Sequence, residues 1–341
     1  MIKLKDIDIS KNYCITNIKL GNIIVASENM KNIYKKLRKI HEYPEIPVLI
    51  QGRTGTGKEI IASYIHFQNK GMEKPYVAIN CAAIDKNLFE SELFGYVKGA
   101  FTGADPHGKD GKIKLAEGGS LFLDEITEIL PDLQTKLLRI LQEKEYYKVG
   151  GNTKYKVNTR IICATNKNIK RLIREGKFRE DLYYRLDVCK VIIPTLNDRK
   201  EEIIPLSLFF INLLNKQKKN PVKSIETKSL EFLKNYNWIG NVRQLKNAIT
   251  KAMLFNDSGI LRTEDFSFLE KKESNKLRML VTDNFLLPEK PFNIEKFTKE
   301  IIIKALDKFN GNKSKTAEFL GLNRLQLYNR YKTIVDKYTD K

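Results

Sequence analysis

Gly52-Arg53-Thr54-Gly55-Thr56-Gly57-Lys58 is the stretch on which the fold turns. Ahead of it, Val48, Leu49 and Ile50 have the length and composition of a short buried strand; behind it, Ile60 to His66 has helical spacing. Strand, glycine loop and helix in that order form the context in which a Walker A phosphate loop has physical meaning. The glycines let successive backbone N–H groups turn toward phosphate, and Lys58 brings an ammonium to the outer phosphates. Glu59 stands where the general motif carries a Ser or Thr for magnesium. Alone, the stretch leaves open a glycine-rich turn that cradles nothing.

Leu121-Phe122-Leu123-Asp124-Glu125 is an apolar strand ending in two carboxylates. Asp124 is suited to hold or position magnesium, and Glu125 to polarise an attacking water. Paired acids also occur in ordinary loops; the glycine loop and the acidic strand end, in this order, together predict a nucleotide hydrolase. Ile162-Cys163-Ala164-Thr165-Asn166 is a third such strand. Its Thr165 and Asn166 suit contact with a phosphate or water, and equally suit a strand-end cap. Arg179, Arg185 and Arg243 are candidates for neutralising charge on a transferred phosphoryl group, although single arginines are usually surface residues.

Short apolar runs recur at Tyr76 to Ile79, Ser120 to Leu123, Thr159 to Ala164 and Val191 to Ile193, with helical patterns between them and Pro194 closing the last. That alternation predicts a mostly parallel sheet covered by helices. Met30 to Ile40 gives one such helix, stopped by Pro44 and Pro47. Ile203 to Asn247 reads as helices only, and Gly240 breaks the chain before Val242 to Leu254, so a separate helical subdomain is expected. The first thirty residues fit short strands or a loose lead-in. Arg262 to Pro291 loses regularity around the charged Glu270 to Arg278 and is the expected linker. Beyond it come helical patterns with Ile301, Ala305 and Leu306 on the first face, Ala317 and Leu320 on the next, and Leu325, Leu327 and Tyr331 on the last.

The 341 residues, 42% of them hydrophobic, exceed the usual length of one domain and exclude a wholly disordered tail. Lys and Arg number 61 against 41 Asp and Glu, and the net charge of +20 points toward a polyanionic partner without identifying it. A lysine-loaded surface gives the same balance. Cys14, Cys81, Cys163 and Cys189 form no close pair and have no neighbouring histidine for a zinc site, which fits a reduced, cytoplasmic compartment. No apolar run approaches the roughly 20 residues of a membrane span, and no signal-peptide core follows Met1 to Lys11, so no membrane partner is expected.

Glu92-Leu93-Phe94-Gly95 followed by Gly99-Ala100-Phe101-Thr102-Gly103-Ala104 resembles the sigma-contacting loop of the sigma-54-dependent transcriptional activators, bacterial enhancer-binding proteins with an AAA+ ATPase core. The likeness runs through Asn80 to Ala83, Gly118 to Glu125, Leu137 to Glu143, Phe178 to Leu186 and Trp238 to Leu245, about residues 23 to 258 and the tail. It implies an α/β fold: an AAA+ P-loop NTPase with a parallel-sheet core and helical lid, followed by a small all-helical DNA-binding domain. The implied division is an amino-terminal extension to residue 22, the ATPase subdomain over 23–194, the lid over 195–261, the linker over 262–291 and the DNA-binding domain over 292–341.

Carried over by position, the resemblance makes Lys58 the phosphate lysine, with Gly52 to Glu59 around the nucleotide, and gives Asp124 and Glu125 their roles toward Mg2+ and water. Glu59 is also the family's residue after the lysine. Asn80 matches the asparagine that restrains the catalytic glutamate, Thr165 and Asn166 the first sensor, Arg179 and Arg185 the fingers reaching a neighbour's ATP, and Arg243 the second sensor. Fingers in trans imply a homo-oligomer, in the family a hexameric ring built from dimers. Gly99 to Ala104 would meet sigma-54 RNA polymerase holoenzyme through Phe101 and Thr102; without the resemblance Phe101 would pass for a core residue. Tyr96 replaces the family's usual histidine, Ile113 and Lys114 its phenylalanine and glutamate, and Asp105 to Asp110 is one residue longer than common.

Ala305 to Lys332 is similar to the Fis-type helix-turn-helix, with Gly321 in the turn. Arg324, Gln326, Asn329 and Arg330 would meet bases or phosphates of double-stranded DNA, and Lys332 a phosphate. Ahead of Val25 no response-regulator or GAF pattern is visible, which leaves a partner protein, expression level or a shortened chain as readings. The expected function is ATP-driven remodelling of the closed sigma-54 promoter complex into an open one. A DNA-binding regulator with a passive nucleotide-sensing platform, and an AAA+ remodeller of another protein, are the competing classes.

Overall fold

The five apolar runs read from the sequence form one parallel sheet. The computed structural model describes residues 1–4, 14–18, 21–67, 74–85, 87–270 and 293–335. Its central strands are β1 (Val48–Gln51), β2 (Tyr76–Asn80), β3 (Ser120–Asp124), β4 (Arg160–Thr165) and β5 (Cys189–Ile192), in spatial order β5-β1-β4-β3-β2. Every pairing among them is parallel, and the register sets Ile162 beside both Val48 and Phe122. Parallel strands require crossovers that cover both sheet faces, which is why these runs read as continuously apolar.

Each strand divides its side chains with a period of two. Leu49, Leu121, Leu123, Ile161 and Cys163 pack on one face with Leu137 and Ile140 of the helix Pro131–Glu143. Val48, Ile50, Phe122, Ile162 and Ala164 pack on the other with Leu37 of the helix Glu28–Ile40 and Ile61 and Ile65 of the helix Lys58–Phe67. The polar residues at the carboxyl ends of β1, β3 and β4 therefore come out together, the usual place for a ligand in an open α/β sheet. Ahead of the sheet, Cys14–Ile18 and Gly21–Val25 pair antiparallel, so of the two readings of this region these residues follow the strands.

Behind β5, the helices Ile203–Asn215, Thr227–Asn235 and Asn241–Leu254 surround the buried Trp238, whose Nε1 donates to Leu233 O at 2.8 Å. The expectation of helices alone needs correction. Ile2–Lys3 pairs antiparallel with Ser224–Ile225, which pairs parallel with Ile260–Leu261, and Leu4 enters the same core. Two-residue strands carry too little periodicity to read, and one of these comes from the far end of the chain. The first part of the expected linker is also packed: Thr263–Phe266 and Ser267–Glu270 are helical turns with Phe266 0% exposed and Leu269 buried. Residues 271–291, the rest of that linker, lie outside the described residues.

By its contacts the chain divides into residues 1–271 and 272–341. The second unit holds the helices Ile294–Lys308, Lys313–Phe319 and Arg324–Val335 around Ile302, Leu306, Ala317 and Leu327. Two inward assignments shift. Ile302, four residues before Leu306, turns inward while Ile301 is exposed, and Leu325 is 68% exposed while Leu327 fills the core.

Phe266→Ala should destabilise the first unit by about 3–5 kcal/mol in urea denaturation, as for a large core truncation; a linker residue would leave the midpoint unmoved.

Candidate functional site

The phosphate loop is fixed to the sheet at its first residue and closed on itself further on. Gly52 N donates to Thr165 O of β4 at 3.1 Å, and Thr56 places its N and Oγ1 on Arg53 O at 3.3 and 2.8 Å. Gly55 has φ +79°, and a Cβ there would run into the carbonyl oxygen of Gly240 in the helical subdomain. Only glycine meets both demands. Lys58 opens the helix behind the loop; its Nζ donates to Gly52 O at 3.2 Å and lies 3.4 Å from Glu125 Oε1. Arg53, Thr54 and Glu59 are exposed at the loop's outer side.

Glu125 follows β3 in a left-handed conformation, φ 52° and ψ 50°, which costs a non-glycine residue about 1–3 kcal/mol. Its Oε2 accepts from Asn166 N at 3.1 Å, and Asn166 Nδ2 donates to Thr54 Oγ1 at 3.0 Å. Asp124 is half-buried, with Oδ1 accepting from Glu125 N at 3.0 Å. The structure thus brings Lys58, Glu125, Asn166 and the loop into one hydrogen-bonded set. Burial, with the Asp124 charge beside it, pushes the Cys81 thiol above its ordinary range and keeps it neutral.

Other expected members stand apart. Asn80 lies beside Asp124 in register, but its Oδ1 accepts from Ala82 N at 2.9 Å and not from any group on Glu125. Thr165 is buried and its Oγ1 is shared between Thr127 Oγ1 and Lys167 N, each at 3.0 Å, so here it caps the strand end. Arg179 is held by Asp181 at 2.7 Å, Arg185 is exposed in the last turn of the helix Glu180–Leu186, and neither bonds to the phosphate loop. Arg243 meets the loop through its backbone, N to Gly55 O at 3.4 Å, while its side chain is exposed.

Three residues that the sequence did not single out also touch the loop or support it. Asn241 Nδ2 donates to Thr54 O at 3.0 Å, Arg199 Nη2 donates to Thr56 O at 2.7 Å, and Glu202 accepts from Arg199 Nη1 at 2.7 Å. The spacing of Arg199 and Glu202 looks like any helical surface pair, and only the structure shows them buried.

The segment Gly99 to Ala104 leaves the subunit between two short paired strands, Gly95–Tyr96 and Lys109–Asp110. Phe101 is 43% exposed, so it is not a core residue. Its ring meets Tyr96 edge-on at 5.0 Å between centroids, and the Tyr96 hydroxyl accepts from Asp105 N at 3.3 Å. Nothing approaches where a Cβ would sit at Gly99 or Gly103, both at positive φ. Ile113 is buried in the core, while Lys114 is exposed and pairs with Glu117 at 2.5 Å.

In the second unit, Gly321 has φ +68° between two helices that meet at Ala317 and Leu327. Arg324, Gln326, Asn329 and Lys332 are exposed, and the Arg330 side chain lies outside the described residues. Gln326 Oε1 accepts from Asn323 N at 3.0 Å, and Gln326 N donates to Asn323 Oδ1 at 2.7 Å. This reciprocal cap starts the helix. Lys313 and Lys332 lie about the Tyr328 ring at 6.0 and 5.9 Å.

These features can be set beside known proteins. Residues 23–192 match the sigma-54 interaction domain, 197–279 an AAA+ ATPase lid domain and 293–332 the Fis family of bacterial regulatory proteins. The chain is 38% identical to the regulatory protein AtoC of Escherichia coli (strain K12), over 92% of this chain and 67% of that protein. It is 38% identical to a Nif-specific regulatory protein of Azotobacter vinelandii, over 92% and 59% of the two chains, so it spans well under two thirds of that relative. A crystal structure of NtrX from Brucella abortus with ATP superposes with a TM-score of 0.65 at 30% identity, covering 92% of this chain and 69% of NtrX. From phosphate loop to terminal helices, the chain belongs to the sigma-54-dependent transcriptional activators, with their AAA+ ATPase core and Fis-type helix-turn-helix.

Proposed function

We propose that the protein binds double-stranded DNA upstream of a promoter, assembles with copies of itself, and uses ATP hydrolysis to convert the closed complex of sigma-54 RNA polymerase into an open one. The observation that carries this is the pairing, in one unit, of a catalytic-type carboxylate held 3.4 Å from the phosphate lysine with an aromatic residue presented on an exposed glycine-flanked loop. A passive platform needs neither. The domain division follows the sheet core, the lid and the terminal helices.

Chemically, Lys58 neutralises the outer phosphates of ATP and Glu125 takes up a proton from the attacking water. In the structure these two side chains satisfy each other. The more highly charged triphosphate competes for Lys58, and its arrival frees Glu125 to turn to water. Asn166 steadies the second carboxylate oxygen through its N–H, and Asn80 is proposed to restrain Glu125 once nucleotide is bound. Asp124 is the carboxylate that would hold Mg2+, which supplies charge neutralisation at the phosphates when bound.

Arg179 and Arg185 lie outside their own site and would complete a neighbour's. Around Arg185 the apolar residues Tyr184, Val188 and Ile192 are more than 60% exposed, a surface that a homo-oligomer, by family a hexamer, would cover. Phe101 and Thr102 would bear on the sigma factor. In the second unit Arg324, Gln326, Asn329, Arg330 and Lys332 would meet DNA, with affinity falling steeply as salt rises. Cytoplasmic location follows from these partners.

The deciding experiment is a heparin-resistant open-complex assay with sigma-54 holoenzyme, in which ATP supports opening and a non-hydrolysable analogue does not. Glu125→Gln should keep nucleotide binding and lower turnover at least about a hundredfold. Thr102→Ala should keep ATPase activity and lose opening. Arg185→Ala and Glu125→Gln proteins, each inactive alone, should regain part of the ATPase rate when mixed, because one supplies the intact site and the other the arginine; no recovery at any ratio would place Arg185 outside a shared site.

A further inference from the structure

Three consecutive carbonyls on the back of the phosphate loop are each taken by the helical subdomain: Thr54 O by Asn241 Nδ2 at 3.0 Å, Gly55 O by Arg243 N at 3.4 Å, and Thr56 O by Arg199 Nη2 at 2.7 Å. A loop that points its N–H groups at phosphate must point its C=O groups away, and a buried carbonyl without a partner is costly. Arg199 and Asn241 are 4% and 1% exposed, so water does not stand in for them.

Arg199 is itself fixed by a chain that runs beyond the loop. Glu202, 1% exposed, accepts from Arg199 Nη1 at 2.7 Å through Oε2, and its Oε1 accepts from Ser27 Oγ at 2.8 Å and Ser27 N at 3.3 Å. Ser27 caps the helix Glu28–Ile40, which packs on the central sheet. The guanidinium fork is used as a fork, one nitrogen on the carboxylate and another on the loop carbonyl, a geometry that a lysine ammonium does not reproduce.

We propose that Arg199 is a positioning residue for nucleotide binding: together with Asn241 it holds the loop in its phosphate-accepting form and ties that form to the helical subdomain. It touches no reacting atom. Phosphate entering the cradle pulls on the same peptide groups whose carbonyls the subdomain grips, so occupancy is felt by the subdomain through this contact. The proposal rests on the ATPase reading but is tested without sigma factor or DNA.

The experiment measures the Kd for a fluorescent ATP analogue and the melting temperature with and without ATP, in the full chain. Arg199→Lys keeps a positive charge beside Glu202 but gives up the fork. Arg199→Met with Glu202→Gln removes the buried charges, fills the space and leaves Ser27 an acceptor, so it keeps the fold in hand if the single variant is unstable. In both, Kd should rise at least about tenfold, the size expected for losing a charge-assisted hydrogen bond. The nucleotide-free melting temperature of the double variant should stay near wild type, and the ATP-induced rise should shrink. A folded variant of either kind that binds within about twofold of wild type overturns the proposal. A wild-type protein that binds no ATP would instead remove the ATPase reading itself.

Discussion

A phosphate cradle depends on one stereochemical constraint: successive peptide groups must present their N–H ends to the same side, and the opposite C=O ends must still find partners. The rest of this molecule can be followed from that requirement. β4 takes the first N–H of the loop through Thr165 O, the left-handed Gly55 lets the chain turn beneath Gly240, and the helix behind begins at Lys58, its free amide ends at the loop. The sheet brings the ends of β1, β3 and β4 to this point, and the helical subdomain closes the back.

Charge follows the same logic. Lys58 is buried, and a buried ammonium needs counter-charge; Glu125 supplies it at 3.4 Å. The arrangement has a chemical cost and a use. Glu125 gives one carboxylate oxygen to this pairing, and its backbone is held in a conformation that few non-glycine residues adopt. If Glu125 acts as the proposed general base, this pairing has to be released before turnover.

The parallel sheet was legible because both faces are covered, which makes each strand a continuous apolar run between turns, and because glycine, lysine and paired acids mark the ends of β1 and β3. Thr165 shows the limit of that approach. Its position at a strand end suits either a phosphate contact or a cap, and only the structure shows its hydroxyl engaged with Thr127, distant in sequence. Arg199, Glu202 and Asn241 were illegible for the opposite reason: ordinary helix-surface residues in sequence, they become special through burial against a loop over a hundred positions away. The strand Ile2–Lys3 and the helical turns at Thr263–Phe266 escaped because two to four residues carry no period. In the terminal unit a one-residue phase error exchanged Ile301 for Ile302, the usual failure where a helix face is read from few apolar positions.

Tyr96 is where sequence and geometry together say most about motion. In place of a smaller imidazole it offers Phe101 an aromatic edge and takes a backbone N–H of the same segment on its hydroxyl. A protrusion with only glycine hinges would wander thermally among many orientations. Seated on a ring it has a defined rest position, and outward travel of the kind proposed for this segment would first have to break that weak, directional contact.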